Sequence, residues 1–326
     1  MAKVVIATSK SAFEQYGCTI PEAWDAEFIS YKYTDEEMIT AAKDAEIILV
    51  GSGHVVSRNV IESCPSLKLI QTEGVGFEKV DVEAAKERGI WVCNNKGANA
   101  VSVAEHAIGL MLAGLRRTSL TDRQLRTIGY TASKRVHLAL GEHDLAGSLV
   151  GLVGFGDIGK QTAKRLKNWG CKVVYNDILD MSPEIEEEYG ATSMEFDELI
   201  RTCDIISMHV PVTPETTGML GKEQFAAMKK SALVINTSRG PVIDQDALIW
   251  ALENDEIYGA ALDVVTPEPL PEDAPILNMS EKAMDKIILT PHVAGVTNED
   301  FERMTKMSFQ AVERVLSGKE PINQVY

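Results

Sequence analysis

The feature that most constrains the fold of this chain is a regular alternation of short apolar runs with amphipathic stretches. In residues 1–100, KVVIAT, EIILVG, LKLIQTEG and IWVCN predict strands, and DEEMITAAKDA and VDVEAAKERG predict helices. A second series begins at Ser148, with strands predicted at LVGLVG, KVVYND, DIISMHV, ALVINTS, GAALDV and KIILT. Strands that alternate with helices are typical of parallel α/β sheets. The pattern therefore predicts two Rossmann-like, doubly wound parallel-sheet domains.

The connection between the two series predicts a discontinuous first domain. Residues 101–117 are apolar on nearly all sides and predict a long buried helix. Residues 118–146 are polar without a clear period, so we expect an irregular connection or an interface arm there. The last helical stretch, NEDFERMTKMSFQAVERVLSG, is expected to return to the first series. We therefore predict a discontinuous, flavodoxin-like domain of residues 1–100 plus 295–326, and a continuous domain of residues 101–294.

The composition disfavours several classes of partner. The formal net charge is -16 and the pI is near 4.9, and such a surface repels nucleic acid and anionic membranes. No apolar run approaches membrane-spanning length, and the amino-terminal MAKVVIATSK is strand-like and too short for a signal peptide. The five cysteines include no CxxC pair. This pattern predicts a cytoplasmic protein without a disulfide framework or a metal site.

A glycine-rich loop lies between a predicted strand and a predicted helix. LVGLVGFGDIGK places Gly154, Gly156 and Gly159 in a G-x-G-x-x-G pattern, which is weak alone because structural glycines occur in ordinary α/β turns. In this context the glycines permit a tight turn and close approach of a pyrophosphate to free helix N–H groups. We predict that the loop, including Asp157 and Ile158, binds a dinucleotide, although Asp157 places a carboxylate close to the phosphates. Residues 101–294 are then the dinucleotide-binding domain, and residues 1–100 plus 295–326 are the substrate domain.

An acidic residue follows the next predicted strand. Asp177 lies eighteen positions beyond Gly159 (177 − 159 = 18), about where an acid binds the hydroxyls of the adenosine ribose. A carboxylate there repels a 2′-phosphate, and no arginine follows in NDILDMSPE. The sequence therefore predicts NAD as the cofactor, in preference to NADP.

Polar side chains follow several strands of the second series, at the edge where doubly wound sheets bind ligands. Arg239 follows LVINTS, Glu268 lies in the loop after GAAL, and His292 follows KIILTP. An arginine grips a carboxylate in two places, a histidine transfers a proton, and a glutamate bonded to that histidine orients its ring. With a nicotinamide, this set predicts reduction of a 2-oxo acid. Arg239 would hold the carboxylate and polarise the carbonyl, while His292 would protonate the forming alkoxide.

Each of these residues also has an ordinary structural explanation. Arg239 could form a surface ion pair, Glu268 could be solvated, and Asp263 could cap a turn. His209 could be a packed strand-end residue, and we expect no more than a cofactor contact from it. The structural explanations require several coincidences at one sheet edge, so the catalytic reading is favoured.

Nearly the whole chain resembles the D-isomer-specific 2-hydroxyacid dehydrogenase family. The resemblance rests on LVGLVGFGDIG, MHVPVTPETTGML, VINTSRGPVIDQDAL, GAALDVVTPEPLP, LTPHVAG and, earlier, EGVGFEKVDVEAAKERGIWVCNNKGANAVSVAEHA. It implies an NAD-dependent enzyme that forms an (R)-2-hydroxy acid, with Arg239, Glu268 and His292 as the catalytic set. Since the family is commonly dimeric through its cofactor domain, it also implies a homodimer.

The resemblance implies further contacts. Backbone N–H groups of Gly74, Val75 and Gly76 would bind the substrate carboxylate. For the pocket of the substrate side chain we consider Ser52, His54, Glu73 and the irregular segment 134–143, with Arg239 and His292 also contacting the substrate. The residues expected at the cofactor, besides the glycine loop and Asp177, are His209, Val210, Pro211, Thr237, Ser238, Arg239, Asp263 and His292.

Departures from related enzymes bear on the substrate. Gly51 and Val55 occupy the loop where phosphoglycerate dehydrogenases carry basic residues, which disfavours a phosphorylated substrate. Glu268 disfavours formate oxidation, for which the resemblance implies a glutamine, and TEGVGFEKVD lacks the lysine that phosphite-oxidising enzymes place beside their glycines. Glu73 either points away from the substrate or reads a hydroxyl or amino group on it. The non-enzymatic alternative is an NAD-sensing scaffold similar to corepressors that resemble this family.

Overall fold

The structure is a computed structural model that describes residues 1–8, 10–15 and 17–326. Contacts divide the chain into two compact units. The split unit comprises Met1–Asn99 and Val296–Tyr326, and the continuous unit comprises Ala100–Gly295. Within the described residues, no helix combines the length and the apolar character needed to cross a membrane.

Strands and helices alternate along most of the chain. The strands are β1 (Ala2–Ile6), β2 (Trp24–Phe28), β3 (Ile47–Gly51), β4 (Leu69–Glu73), β5 (Trp91–Cys93), β6 (Leu149–Val153), β7 (Lys172–Asn176), β8 (Ala191–Ser193), β9 (Ile205–Met208), β10 (Leu233–Asn236), β11 (Gly259–Leu262) and β12 (Ile287–Leu289). The helices are α1 (Lys10–Gln15), α2 (Asp35–Ala42), α3 (Arg58–Ser63), α4 (Val82–Glu87), α5 (Ala100–Leu115), α6 (Thr118–Ile128), α7 (Tyr130–Leu140), α8 (Asp157–Leu166), α9 (Pro183–Tyr189), α10 (Phe196–Thr202), α11 (Lys222–Ala227), α12 (Gln245–Glu253), α13 (Glu281–Met284) and α14 (Asn298–Leu316).

The split unit contains a five-stranded parallel sheet in the order β2-β1-β3-β4-β5, which is the flavodoxin-like order. The carboxyl-terminal helix α14 packs against β4. The sequence reading missed β2, an edge strand whose residues alternate between buried or half-buried and exposed. Asp25 and Glu27 occupy its exposed positions, which is why the segment lacks the continuous apolar run of the central strands.

The continuous unit contains a seven-stranded parallel sheet in the order β12-β11-β10-β9-β6-β7-β8. The strand order reverses at β6, since β7 and β8 lie on one side of it and β9 to β12 lie on the other. In such sheets, ligands bind at the carboxyl ends of the strands beside this reversal. The glycine loop follows β6, so the topology places it at the expected position.

The prediction of an irregular region at 118–146 is wrong, because the structure contains α6 and α7 there. Gly129 and Gly141, with φ of 79° and 71°, bound α7. Among the described side chains, Leu120 is the buried residue of α6 and Ser133 that of α7. Because so little of either helix is buried, the apolar period that marks a core helix is absent from the sequence.

Candidate active site

The glycine loop after β6 is packed tightly at two points and open at a third. Gly154 has a φ of 99°, and a Cβ there would lie 2.7 Å from the carbonyl carbon of His209. A Cβ at Gly159 would lie 2.3 Å from the Gly154 carbonyl oxygen. Gly156, by contrast, faces open space and begins α8 without a side-chain cap. The loop therefore offers uncapped helix N–H groups beside an open surface, which fits a pyrophosphate.

Asp177 supports this loop directly. Its Oδ2 accepts a hydrogen bond of 2.6 Å from the Phe155 N–H, and its Oδ1 accepts one of 3.0 Å from the Leu179 N–H. Asp157 is exposed in the first turn of α8, and Ile158 is half-buried. The carboxylate at 177 therefore both shapes the loop and lies at the end of β7, where a ribose is expected.

Two buried polar atoms near the same edge have no hydrogen-bond partner in the described part of the chain. They are His209 Nδ1 and Thr237 Oγ1. The other ring nitrogen of His209, Nε2, hydrogen-bonds with Ser207 Oγ at 2.9 Å. Burial lowers the pKa of His209 to about 4, so the ring is neutral at pH 7. Both atoms belong to residues predicted to border the cofactor, and unsatisfied buried groups of this kind are typical of ligand sites. Val210 is half-buried and Pro211 is exposed beside them.

Arg239 follows β10 in a turn held by a buried amide. Asn236 Oδ1 accepts hydrogen bonds from the Ser238 N–H at 2.9 Å and the Ser238 hydroxyl at 2.8 Å, and its Nδ2 donates to the Arg239 carbonyl at 2.9 Å. Arg239 Nη1 donates to the Ser238 carbonyl at 2.8 Å. The sequence analysis missed Asn236. The available signal was an amide at the end of an apolar strand, directly before Thr-Ser-Arg-Gly.

The turn that carries Arg239 packs closely against the loop that carries Glu268. A Cβ at Gly240 would lie 2.1 Å from the Val265 carbonyl oxygen, so residue 240 has no room for a side chain. This contact joins the loops after β10 and β11, which are neighbouring strands. Arg239 and Glu268 therefore extend from two loops with a fixed relative position.

His292 lies just beyond β12 and is paired with Glu268. Its backbone is left-handed, with a φ of 54°, and its N–H donates to the Asp263 carbonyl at 2.8 Å. The ring Nδ1 donates a very short hydrogen bond to Glu268 Oε1. The side chains are 46% and 42% exposed, so the pair is open to a ligand. Since Nδ1 is engaged, Nε2 is the ring nitrogen that can exchange a proton with a substrate.

Asp263 shapes the loop that presents His292. Its side chain is fully buried. The carboxylate accepts hydrogen bonds from the Thr290 hydroxyl at 2.5 Å, the Val293 N–H at 3.0 Å and the Ala294 N–H at 2.8 Å. His106, which the sequence analysis missed, hydrogen-bonds with Thr290 Oγ1 at 3.2 Å. The observed contacts of the Asp263 carboxylate are thus with protein groups, and its cofactor contact stays a prediction.

The candidate substrate residues of the split unit lie at the ends of β3 and β4. His54 is buried, and both ring nitrogens are engaged: Nδ1 accepts from the Gly51 N–H at 2.8 Å, and Nε2 donates to the Tyr31 carbonyl at 2.7 Å. In this geometry His54 braces the end of β3. Gly74 has a φ of 146°, and a Cβ there would lie 3.0 Å from Ser52 Oγ. The segment 134–143 belongs to the continuous unit, where it forms most of α7.

Comparisons with known proteins show which family the chain is similar to. Residues 108–294 match the family model "D-isomer specific 2-hydroxyacid dehydrogenase, NAD binding domain". The chain is 37% identical over 289 residues to a glyoxylate reductase of Thermofilum pendens, covering 88% of this chain and 83% of the relative. It is 38% identical over 293 residues to a D-3-phosphoglycerate dehydrogenase of Methanocaldococcus jannaschii, covering 90% of this chain but 54% of that longer protein.

A solved structure shows the same architecture. The holo form of the D-mandelate dehydrogenase of Rhodotorula graminis aligns with a TM-score of 0.86 and 28% identity, covering 99% of this chain and 97% of that one. The cofactor of this chain is NAD, in agreement with its glycine loop and Asp177. By the family model and by its relatives, the chain belongs to the D-isomer-specific 2-hydroxyacid dehydrogenase family.

Proposed function

We propose that this chain reduces a small 2-oxo acid to the (R)-2-hydroxy acid, using NADH, and catalyses the reverse reaction. The observation that carries the proposal is the hydrogen bond between His292 Nδ1 and Glu268 Oε1 at the sheet edge that also bears Arg239. Two relatives, named as a glyoxylate reductase and a D-mandelate dehydrogenase, support a small 2-oxo or 2-hydroxy acid as the substrate.

Each member of the proposed catalytic set has a separate task. NADH, when bound, supplies the hydride. Arg239 binds the substrate carboxylate and polarises the carbonyl, because its guanidinium offers several donors in a fixed plane. His292 donates a proton from Nε2 to the carbonyl oxygen, and in the reverse direction it takes that proton back. Glu268 fixes the ring through Nδ1 and stabilises the positive charge of the protonated imidazole.

We propose that the cofactor binds along the glycine loop after β6, where uncapped helix N–H groups lie beside an open surface. Gly154, Gly156, Asp157, Ile158 and Gly159 would lie along the pyrophosphate, and the Asp177 carboxylate would accept from the ribose hydroxyls. The nicotinamide side would be bordered by the remaining predicted residues, which are His209, Val210, Pro211, Thr237, Ser238 and Asp263. The orphaned His209 Nδ1 and Thr237 Oγ1 support this assignment, because a bound ligand would supply their missing partners.

We also propose that the loop after β4 binds the substrate carboxylate. The backbone N–H groups of Gly74, Val75 and Gly76 donate to no acceptor among the residues that the structure describes. Successive free N–H groups in a turn make a concave site for an anion. Ser52, beside Gly74, is retained as a candidate contact of the substrate. We propose that His54 contributes indirectly, because its ring holds the end of β3 in place by accepting a hydrogen bond from the Gly51 N–H.

Two further proposals concern the assembly and its location. We infer a homodimer formed through the continuous unit, since α6 and α7 expose Leu125, Ile128, Tyr130, Leu138 and Leu140. We infer a cytoplasmic location, since none of the five cysteines forms a disulfide among the described residues.

The experiment that tests the proposed function is NADH oxidation with a panel of 2-oxo acids. The panel contains glyoxylate, hydroxypyruvate, pyruvate, and branched and aromatic 2-oxo acids. We expect turnover with at least one of them and an (R)-configured product from those that form a chiral centre. A folded protein that binds NADH but turns over none of them contradicts the proposal. NADH-dependent capture of a protein partner by such an inactive chain would favour the scaffold alternative.

A further inference from the structure

Glu73 is an acidic residue at the ligand edge of the split unit. It ends β4, a strand between β3 and β5, and it lies opposite Gly51 in the parallel ladder. Its immediate neighbours along the chain and across the ladder are small: Gly74 follows it, and Ser52 follows Gly51. The carboxyl ends of parallel strands are where ligands of such sheets bind. The position therefore brings a carboxyl group beside the proposed carboxylate-binding loop.

The split unit does not provide Glu73 with a partner. In the part of the chain that the structure describes, the side chain is half-buried and makes neither a hydrogen bond nor an ion pair. Two residues before Glu73 in β4, Gln71 Nε2 donates to Asn95 Oδ1 at 3.1 Å, and Asn95 Nδ2 donates to Ser308 Oγ at 2.9 Å. Gln71 Oε1 has no hydrogen-bond partner among the described residues. On α14, Lys306 pairs with Glu302.

Burial without a partner has a measurable electrostatic consequence. Burial raises the pKa of Glu73 to about 7, so a large fraction of the carboxyl groups are neutral at neutral pH. The Glu73 carboxyl group has lost hydrogen bonds to water and has formed none to the protein in their place. A hydrogen-bond donor beside Glu73 would replace the water that burial removed. A cationic donor would stabilise the carboxylate most.

We propose that Glu73 is a specificity-determining residue that accepts a hydrogen bond from an O–H or N–H group on the side chain of the 2-oxo acid. The inference rests on the proposed function, because it assumes that the loop 74–76 holds the substrate carboxylate. Cationic side chains are bound best, hydroxyl side chains next, apolar ones poorly, and anionic ones worst. Cationic and hydroxyl side chains donate a hydrogen bond to Glu73, whereas an apolar side chain leaves the Glu73 acceptor unpaired. An anionic side chain is repelled by the like charge of the carboxylate.

The test compares substrates that differ in one group. Hydroxypyruvate and 2-oxobutyrate are nearly isosteric, with a hydroxyl in one where the other has a methyl group. 2-Oxo-5-guanidinovalerate supplies a cationic N–H donor, and oxaloacetate supplies an anion. We expect kcat/KM for hydroxypyruvate to exceed that for 2-oxobutyrate at least about tenfold, mainly through KM, because the apolar substrate leaves the buried acceptor unpaired.

Variants of Glu73 separate its role from the rest of the pocket. In Glu73→Leu, we expect the ratio of kcat/KM for hydroxypyruvate to kcat/KM for 2-oxobutyrate to fall to about one. The kcat/KM for 2-oxobutyrate itself should not fall below the wild-type value. Glu73→Gln keeps an acceptor oxygen, so it should keep most of the hydroxyl preference but lose the preference for the cationic substrate. Glu83→Gln, an exposed acid on α4 of the same unit, is the matched control and should change neither ratio.

Three outcomes would overturn the inference. They are equal kcat/KM for the isosteric pair in the wild type, a preference that persists in Glu73→Leu, and a cationic substrate that is used no better by the wild type than by Glu73→Gln. If Glu73→Leu does not fold, the wild-type ratio and the Gln variant decide. Turnover of apolar 2-oxo acids without discrimination would contradict the role of Glu73 and leave the proposed function intact, whereas absence of all turnover would contradict the function itself.

Discussion

The side chains that we propose to react are held in place by buried polar residues to which we assign no part in the chemistry. Asn236 fixes the turn of Arg239 through three hydrogen bonds, and the Asp263 carboxylate binds the loop that presents His292. Preorganisation of this kind matters because a catalytic group must keep its geometry without rearranging during the reaction. Substitution of such a residue is therefore expected to reduce the rate without removing any reacting atom.

The catalytic candidates could be predicted from the sequence, but their supports could not. Arg239, Glu268 and His292 each follow an apolar run, so a sheet edge could be inferred from the pattern alone. His106 gives no comparable signal. It is one of three polar residues in a mostly apolar helix, and its contact with Thr290 spans 184 positions of sequence. Such contacts depend on tertiary packing, which a local pattern does not encode.

At Asp177 we predict a change of cofactor preference. Asp177→Ser removes the charge that repels a 2′-phosphate and the carboxylate that binds the Phe155 and Leu179 N–H groups. The ratio of kcat/KM for NADH to that for NADPH should fall at least about tenfold, as expected when hydrogen bonds to a charged group are lost. Steady-state kinetics with both cofactors measures it. Asp180→Ser, at an exposed acid three positions on, is the control, and an unchanged ratio at 177 would contradict the assignment.

Among the elements, the loops after β10 and β11 are coupled at a single glycine. Gly240→Ala would place a methyl group 2.1 Å from the Val265 carbonyl oxygen, so one loop must move. We predict a fall in kcat/KM on the order of 100-fold, because a displacement of about 1 Å misplaces Arg239 relative to Glu268. Gly109→Ala, in α5 with open space around it, is the control and should leave kcat/KM unchanged. Equal kinetics for both variants would show that the contact is unimportant.

Helix α14 contains a buried acid whose effect on stability depends on pH. Asp300 has no exposed surface, and burial raises its pKa to about 6, with Arg303 Nη2 at 3.5 Å offsetting part of the effect. Since an unfolded aspartate has a pKa of about 3.9, the folded chain holds a proton between about pH 4 and 6 that the unfolded chain has released. Stability therefore falls as the pH rises through this window.

Asp300→Asn should remove that dependence. The free energy of unfolding of the variant minus that of the wild type should increase by about 1–2 kcal/mol from about pH 5 to about pH 8. Guanidinium denaturation at the two pH values measures the difference. Glu299→Gln, an exposed neighbour in the same helical turn, should show no such gain. A variant that is destabilised equally at both values would contradict the assignment.

β2, α6 and α7 escaped prediction from the sequence for a common physical reason. Pattern recognition detects a strand or helix by the side chains that it buries, and β2, α6 and α7 bury few. β8 is missed for a different reason, since its three residues are too few to establish a period. The strands of both sheet centres were recovered because they are buried on both faces and read as continuous apolar runs.

For the molecule as a whole, the exposed apolar side chains of α6 and α7 predict self-association. Leu125 is 48% exposed and Leu138 is 75% exposed. A chain of 35.7 kDa should sediment at twice that mass, and Leu125→Glu with Leu138→Glu should sediment as a monomer, because charges are depleted from the cores of stable interfaces. Ile322→Glu, at an exposed apolar residue of the split unit, should leave the mass unchanged. A wild-type monomer would contradict the dimer.

We propose above all that His292 transfers the proton in an NADH-dependent reduction of a 2-oxo acid. The most direct measurement is the single-turnover rate of NADH oxidation by wild type and His292→Ala, with NADH affinity measured separately by fluorescence. The control is His143→Ala, which removes an imidazole away from the candidate site. The ring centroid of His143 lies 4.9 Å from that of Tyr258. We predict that His292→Ala loses about 10²–10⁴-fold in rate and keeps its affinity for NADH. A variant that retains the wild-type rate would contradict the account.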